Sequence, residues 1–272
     1  MSITPMSPDA TARGRVRTWV TSQRKFMPLP GQLSAEINTL GYAGRSLPVP
    51  EEVPDGLAAA LGNAGLAGWL PLSWRAAMQK GETVLVLGAT GTTGLISVAA
   101  ARLLGAGRVV AAGRNPAALQ TTLSVGADAT LNLQADDLNH RLVAEAGNGF
   151  DIVIDYLNGP ATQAAMHAMA TGGRLVQIGS ALGSEISVPA QLARKLSLSV
   201  LGFAYYHAPL ALQAEAYLAV CAAAIAGGIP IDYREMPLNE VMAAWALQKG
   251  GDSCRKVMIP GPASPVLIPG NQ

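Results

Sequence analysis

The densest run of chemistry-bearing residues in the chain is Gly88-Ala89-Thr90-Gly91-Thr92-Thr93-Gly94, with glycines three residues apart. A pyrophosphate is held by main-chain N–H groups at the start of a helix, where unpaired donors and the helix dipole both favour negative charge. The backbone has to come close to the phosphates, so side chains at such a turn must be absent or tiny. Gly91 and Gly94 meet that need, one for the approach of phosphate and one for the packing of helix on strand. The usual first glycine is replaced by Ala89, with Gly88 just before it. Glycine repeats alone are a weak signal, and the elements around them decide.

Those elements fit. Thr83 to Leu87 is a short apolar, β-branched run of the kind buried on both faces of a parallel sheet. After the glycines a helical pattern (Leu95, Val98, Ala99, Leu103) runs to Gly105, and a second apolar run, Arg108 to Ala112, ends at Gly113-Arg114-Asn115. Strand, tight turn, helix and strand make the first unit of a dinucleotide-binding sheet. An NAD site places an acidic side chain roughly 20 residues past the glycines, where it accepts from the ribose 2′-hydroxyl. Here Gly113 stands at that point, followed by Arg114 and Asn115. No carboxylate is present to repel a 2′-phosphate, and a guanidinium can pair with one through two hydrogen bonds. NADP(H) is therefore expected over NAD(H); the plain alternative is a solvated arginine at a strand end.

Composition sets the outer bounds. Of 272 residues half are apolar, 14% are charged, and the net charge is +1, which suggests neither a nucleic-acid nor an anionic-membrane partner. The N-terminus lacks the apolar core of a signal peptide, and no apolar run approaches the ~20 residues of a membrane span. The only cysteines are Cys221 and Cys254, without paired spacing, which fits a reducing cytosol and excludes a Cys-rich structural zinc site. His140, His167 and His207 read as helix or loop decoration. A cytoplasmic protein is expected.

Along the chain, residues 1 to 50 are broken by prolines and retain only strand-like pieces such as Arg15 to Val20, with Arg13, Arg15, Arg17, Arg24 and Lys25 as a solvated basic face. Pro54-Asp55-Gly56 reads as a turn and Leu57 to Leu61 as the start of an Ala-rich helix. Gly62, Ala64, Gly65, Ala67 and Gly68 then follow a helical path, small enough for a neighbouring helix or a nicotinamide ring to lie close. Beyond Arg114, Asn115 suits a helix cap and Pro116 the first helical position, with Gly126 as the stop. The spacing predicts strands over Ala129 to Leu133, Asp151 to Tyr156, Arg174 to Ile178 and Leu196 to Phe203. It predicts helices over Asp136 to Ala146, Ala161 to Ala170 (closed by Gly172-Gly173) and Leu210 to Ala226, where Cys221 is a buried, inert thiol. Asp232 to Met236, a helix over Asn239 to Gln248 and Lys256 to Ile259 complete the chain, and the last twelve residues read as a loose tail. Each strand end delivers small or polar residues to the edge where ligands of such sheets sit. The fold class is α/β: a Rossmann-type doubly wound parallel sheet plus a reduced, partly irregular β-containing N-terminal/C-terminal catalytic domain. The expected domains are 1–72, the NADP-binding 73–209, and 210–272.

From about Gly41 to Pro260 the chain resembles the zinc-independent quinone oxidoreductase branch of the medium-chain dehydrogenase/reductase superfamily. VPDGLAAALGNAGLAGW, GETVLVLGATGTTG, GADATLNL, FDIVIDYLNGP, GGRLVQIG and RKVMIP carry the resemblance, in order and spacing. It implies an NADPH-binding domain joined to a chaperonin-like barrel, with hydride transfer to a quinone or activated enone in the cleft, usually in a homodimer. It further implies that Gly88, Ala89, Thr90, Gly91, Thr92, Thr93 and Gly94 receive the pyrophosphate, and that Gly113, Arg114 and Asn115 receive the adenosine phosphate. Asp155 and Tyr156 line the cofactor, the backbone of Ile178, Gly179 and Ser180 meets the nicotinamide carboxamide, and Lys256 lies close to the phosphates or is an exposed lysine beside a strand. Three departures stand out. Relatives carry Thr or Ser at Ala67 and a tyrosine at Leu133, and they have a much longer segment before the glycine turn, whose strands residues 1 to 50 cannot all supply. Metal-dependent relatives need cysteine and histidine ligands in that segment, and none is present, so no metal is expected.

Hydride transfer asks little of a protein beyond alignment and exclusion of water, because the cofactor carries the chemistry. Tyr42 and Ser180 are the candidates for protonating a product oxygen. A G-x-S-x-G elbow, an H-E-x-x-H pair and a Walker lysine are all missing, as is the Tyr-x-x-x-Lys pair of short-chain reductases. The sequence thus supports an NADPH-dependent, metal-free reductase of quinones or activated enones acting on a small molecule as a homodimer. The rival is a catalytically weak or inactive NADPH-binding sensor lacking most of the barrel.

Overall fold

Near-continuous apolar runs along the central short strands dictate a sheet that must be covered on both faces. The computed structural model describes residues 47, 49–250 and 254–259. The expectations for residues 13 to 25, Tyr42 and the last twelve residues lie outside the described residues. Two compact units divide the chain, residues 63–230 forming the larger, and the described residues up to Gly62 with those from Ile231 forming the smaller.

In the larger unit the helix α1 (Asp55–Leu70) ends and a single π-turn, Pro71–Arg75, leads to the sheet. Its strands are β1 (Thr83–Leu87), β2 (Arg108–Gly113), β3 (Ala129–Asn132), β4 (Phe150–Asp155), β5 (Met169–Gln177) and β6 (Ser199–Gly202). All pair in parallel, in the order β3-β2-β1-β4-β5-β6. Val84 and Val86 of β1 face one way, with Val109, Ala111, Ile152, Ile154 and Val176 from neighbouring strands. Leu85 and Leu87 face the other way, with Val110, Ala112, Leu131, Val153 and Leu175. The first face is covered by α2 (Thr92–Leu103) and α3 (Pro116–Ser124), through Val98, Ala101 and Leu119. The second is covered by α4 (Leu138–Ala146) and α5 (Pro160–His167), through Leu142, Ala165 and Met166. All these side chains are buried, and the period of two sorts them between the faces.

The strand order places a topological switch at the carboxyl ends of β1 and β4, since the chain moves outward from β1 to β3 and then returns beside β1. Leu87 pairs with Ala112 on one side and Asp155 on the other. Open sheets of this kind bind ligands in the crevice just outside that point.

The small residues of α1 are used for helix packing. A Cβ on Gly68 would lie 2.5 Å from Cγ2 of Ile96 on α2, and one on Gly65 would lie 2.9 Å from Cγ1 of Val220 on a later helix. Of the two occupants the sequence allowed for this face, the neighbouring helix is the one present at Gly65 and Gly68. The helix itself begins at Asp55, an acidic residue in its first turn, where a turn was expected.

Two boundaries differ from expectation for a reason. Gly172-Gly173 lie inside β5 and do not close a helix, because α5 stops at His167 and Met169 already pairs with Phe150. The glycines sit where the β4–β5 register shifts, with Gly172 at φ +78° and Gly173 close against the carbonyl of Ala170. They permit a bend in the strand. Leu196 ends the helix α6 (Ala190–Leu196), and Ser197 turns the chain in the left-handed region at φ +50°, so β6 is only Ser199–Gly202.

The helix α7 (Leu210–Ile225) buries Ala216, Tyr217, Val220 and Cys221. In the smaller unit β7 (Tyr233–Pro237) and β8 (Arg255–Ile259) form a parallel pair with α8 (Val241–Lys249) packed against both. Among the described residues no helix is long and apolar enough to cross a membrane.

Gly68→Val tests the packing of α1 on α2. Valine gains only a few tenths of a kcal/mol over glycine in helix propensity, whereas overpacking against Ile96 costs about 1 to 3 kcal/mol, so stability should fall. Gly202→Ala, where nothing lies within 4 Å of the added Cβ, should stay within about 0.5 kcal/mol of the parent. Urea midpoints that fall equally for both would contradict the assigned contact.

Candidate functional site

The turn between β1 and α2 is held by the neighbouring strand. Gly88, at φ +87°, and Ala89 both donate their amides to the carbonyl of Ala112, at 2.9 and 3.0 Å. Gly91 donates to the carbonyl of Gly88 at 3.2 Å and adopts an extended conformation (φ −82°, ψ 159°) as the cap of α2. Gly94 then packs straight onto that turn: a Cβ there would lie 2.2 Å from the Gly88 carbonyl oxygen and 2.7 Å from Cα of Ala89. No side chain fits. Ala89, at the place of the usual first glycine, is fully buried in the core, so its methyl group occupies protein and not the crevice.

Gly91 is different. A Cβ there would meet only the Gly88 carbonyl, at 3.7 Å, an ordinary contact. The protein's own packing leaves this cradle open, and a side chain would fill it. The amides of Thr90, Thr92, Thr93 and Gly94 have no acceptor among the described residues. Unpaired amides at the first turn of a helix, where the dipole is positive, are the kind of donors that suit an anion.

At the end of β2, Gly113 is buried against the side chain of Thr90, and Arg114 is exposed. Arg114 has no hydrogen-bond or ion-pair partner among the described residues. Asn115 caps α3, its side-chain oxygen accepting from the amide of Ala118 at 3.2 Å. Leu133, where relatives were expected to carry tyrosine, donates its amide to the Gly113 carbonyl at 2.9 Å.

The carboxyl end of β4 is a structural clasp. The buried Asp155 carboxylate accepts from the amides of Leu157 (2.9 Å) and Asn158 (3.0 Å) and from the hydroxyl of Thr162 (2.7 Å). Its main-chain carbonyl accepts from Ile178 and Gly179, so it ties the ends of β4 and β5 together. Gly179 has no room for a Cβ, which would lie 2.3 Å from the Tyr156 carbonyl. Gln177 holds the Gly179 carbonyl through Nε2 at 2.5 Å, and Ser180 beyond it is exposed.

Tyr156 belongs to a second polar knot. Its hydroxyl donates to the carbonyl of Ala67 at 2.8 Å and lies 2.6 Å from Oγ of Ser97, which donates to the carbonyl of Gly68 at 2.9 Å. Two hydroxyl protons thus serve three short contacts joining α1, α2 and the β4 end. Burial pushes the Tyr156 phenol well above its ordinary range, while the hydrogen bond with Ser97 pulls the other way. A phenol so placed keeps its proton. Neither Ser97 nor Thr162 stood out in the sequence, although Ser97 is a polar residue on the buried side of α2 and such residues need partners.

The turn residues Gly88 to Gly94, the strand ends Gly113 to Asn115 and Asp155 to Tyr156, and Ile178 to Ser180 all lie at the carboxyl edge of one sheet. Lys256 stands on β8 of the smaller unit, with Nζ donating to the Cys254 carbonyl at 2.6 Å. Among the described residues no three His, Cys, Asp or Glu side chains come together as metal ligands.

With this geometry in view, known proteins provide comparisons. Residues 92–222 match the family model described as zinc-binding dehydrogenase. The chain is 34% identical over 155 residues to quinone oxidoreductase-like protein 2 of Bos taurus, covering 57% of this chain and 44% of that protein. Among solved structures, the quinone oxidoreductase of Thermus thermophilus, known also as its NADPH complex, is 32% identical with a TM-score of 0.61, over 75% of this chain and 66% of that one. AibC is 28% identical with a TM-score of 0.70, over 79% and 59%. The chain therefore spans less than half of the bovine relative and about three fifths of AibC.

Tyr156→Phe should cost about 0.5 to 1.5 kcal/mol, since the carbonyl of the half-buried Ala67 loses its donor. Because the folded phenol holds its proton more tightly than the unfolded one, whose pKa is about 10, its contribution is present below that value and is lost as pH rises above it. Wild-type stability should then fall by up to about 1.4 kcal/mol per pH unit more steeply than that of Tyr156→Phe. Parallel pH profiles of denaturant stability for the two proteins would refute the buried knot.

Proposed function

From the premise that the chain belongs to the medium-chain dehydrogenase/reductase superfamily as a quinone oxidoreductase-like member, we propose that it is an NADPH-dependent, metal-free reductase of quinones or activated enones. The observation that carries this reading is the row of unpaired amides at the start of α2, beside a Gly91 whose missing side chain leaves an open cradle. These features suit a pyrophosphate. Arg114, exposed and without a partner among the described residues at the end of β2, suits a 2′-phosphate. The absence of a carboxylate at Gly113 favours NADP(H) over NAD(H) in the same way.

When bound, the nicotinamide supplies the hydride. The chain's own residues bind and orient it. The amides of Thr92, Thr93 and Gly94 hold the pyrophosphate, and the guanidinium of Arg114 holds the adenosine phosphate. The backbone from Ile178 to Ser180, with Ile178 and Gly179 fixed by Asp155 and Gln177, would meet the carboxamide. A homodimer fits the edge strand β6, whose Val200 is 39% exposed and which can pair with a second copy across a twofold axis. Equilibrium sedimentation at micromolar concentration should give twice the chain mass; the mass of one chain would reject that pairing.

A second reading, an NADPH-binding protein without turnover, is favoured by one observation. The ionisable side chains that β4 delivers to the edge, Asp155 and Tyr156, are both spent inside the protein. Purified protein incubated with NADPH and a benzoquinone, a conjugated enone or no acceptor separates the two readings. Acceptor-dependent loss of NADPH absorbance is expected, and binding without turnover on either acceptor would select the second. Arg114→Ala should weaken NADPH by about 1 to 3 kcal/mol and leave NADH nearly unchanged; equal losses would remove Arg114 from the phosphate site.

A further inference from the structure

We infer that Thr90, a residue of the phosphate turn, is what keeps position 113 a glycine, and so determines coenzyme specificity by shutting out the acidic side chain that an NAD-type ribose site requires. This deepens the proposed function and rests on it for its coenzyme half.

Gly113 is not among the glycines at positive φ, so its backbone would accept any residue. Only space forbids one. A Cβ at position 113 would lie 2.5 Å from Cγ2 of Thr90, 3.1 Å from Oγ1 of Thr90 and 3.3 Å from Cδ2 of Leu119. Threonine cannot clear both facing positions by rotating, because its two heavy γ atoms occupy two of the three staggered sites in every rotamer. One of them always faces residue 113.

The strand end cannot retreat either. The carbonyl of Ala112 is held by the amides of Gly88 and Ala89, and the carbonyl of Gly113 by the amide of Leu133. Gly113 is also paired in the sheet with Asn132. The turn that receives phosphate and the strand end that meets the ribose are thus locked to each other by one side chain. Gly91 in the same turn is open by contrast, since an added Cβ there meets only an ordinary contact. A ribose-binding carboxylate at position 113 requires Thr90 to be reduced first.

The test combines a stability cycle without coenzyme and a binding cycle with it. Gly113→Ala should lower the melting temperature by about 2 to 10 °C in the wild-type background and by much less in a Thr90→Ala background. Gly113→Asp alone should lose NADPH affinity without gaining NADH affinity, by fluorescence titration. Thr90→Ala/Gly113→Asp should bind NADH about tenfold or more tighter than Gly113→Asp does. Equal melting losses in both backgrounds, or a Gly113→Asp protein that binds NADH as well as the double variant, would overturn the lock. A wild-type protein that binds neither coenzyme, while the melting cycle holds, would instead overturn the proposed function and reduce Thr90 to a packing residue.

Discussion

The absence of a side chain at Gly94 is the constraint on which the rest of the molecule depends. With the Gly88 carbonyl 2.2 Å from where a Cβ would stand, the first turn of α2 rests directly on the backbone that leaves β1. Any larger residue would lift the helix from the strand and carry its amides away from the sheet edge. Because contact is made here, the extended Gly91 directs the next amides outward at the switch between β1 and β4. The helix dipole then adds to donors that the protein leaves unpaired.

Polar groups along this edge divide into those the protein consumes and those it leaves available. Asp155 is consumed: three donors hold its carboxylate, and its carbonyl fastens β5. Tyr156 and Ser97 are consumed as well, joining the carbonyls of Ala67 and Gly68 to α2. These groups give the edge a fixed shape, which a preorganised binding site requires. What remains for a ligand is mostly main chain, together with the guanidinium of Arg114. Such a site grips phosphate and leaves the redox chemistry to whatever the phosphates carry.

Much of this was legible in the residue order. The strand-turn-helix-strand unit from Thr83 to Gly113 and the cap formed by Asn115 follow from local rules: burial period, helix start chemistry and glycine stops. Glycine was ambiguous wherever its role came from a distant partner. Gly172-Gly173 reads as a helix stop and serves as a bend in β5, while Gly65 and Gly68 accommodate Val220 and Ile96, far away in sequence. Asp155 shows the same limit. A carboxylate at a strand end looks like a ligand until Thr162, seven residues on, is seen to donate to it. Strand ends and helix starts are local, but the uses of a polar side chain depend on which loops the topology brings beside it.

Amide hydrogen exchange with and without NADPH measures the central claim most directly. The account predicts that the amides of Thr92, Thr93 and Gly94 exchange at least about tenfold more slowly when the coenzyme is present, each gaining an acceptor it lacks in the protein alone. Exchange at those three positions that NADPH at saturating concentration leaves unchanged would contradict it.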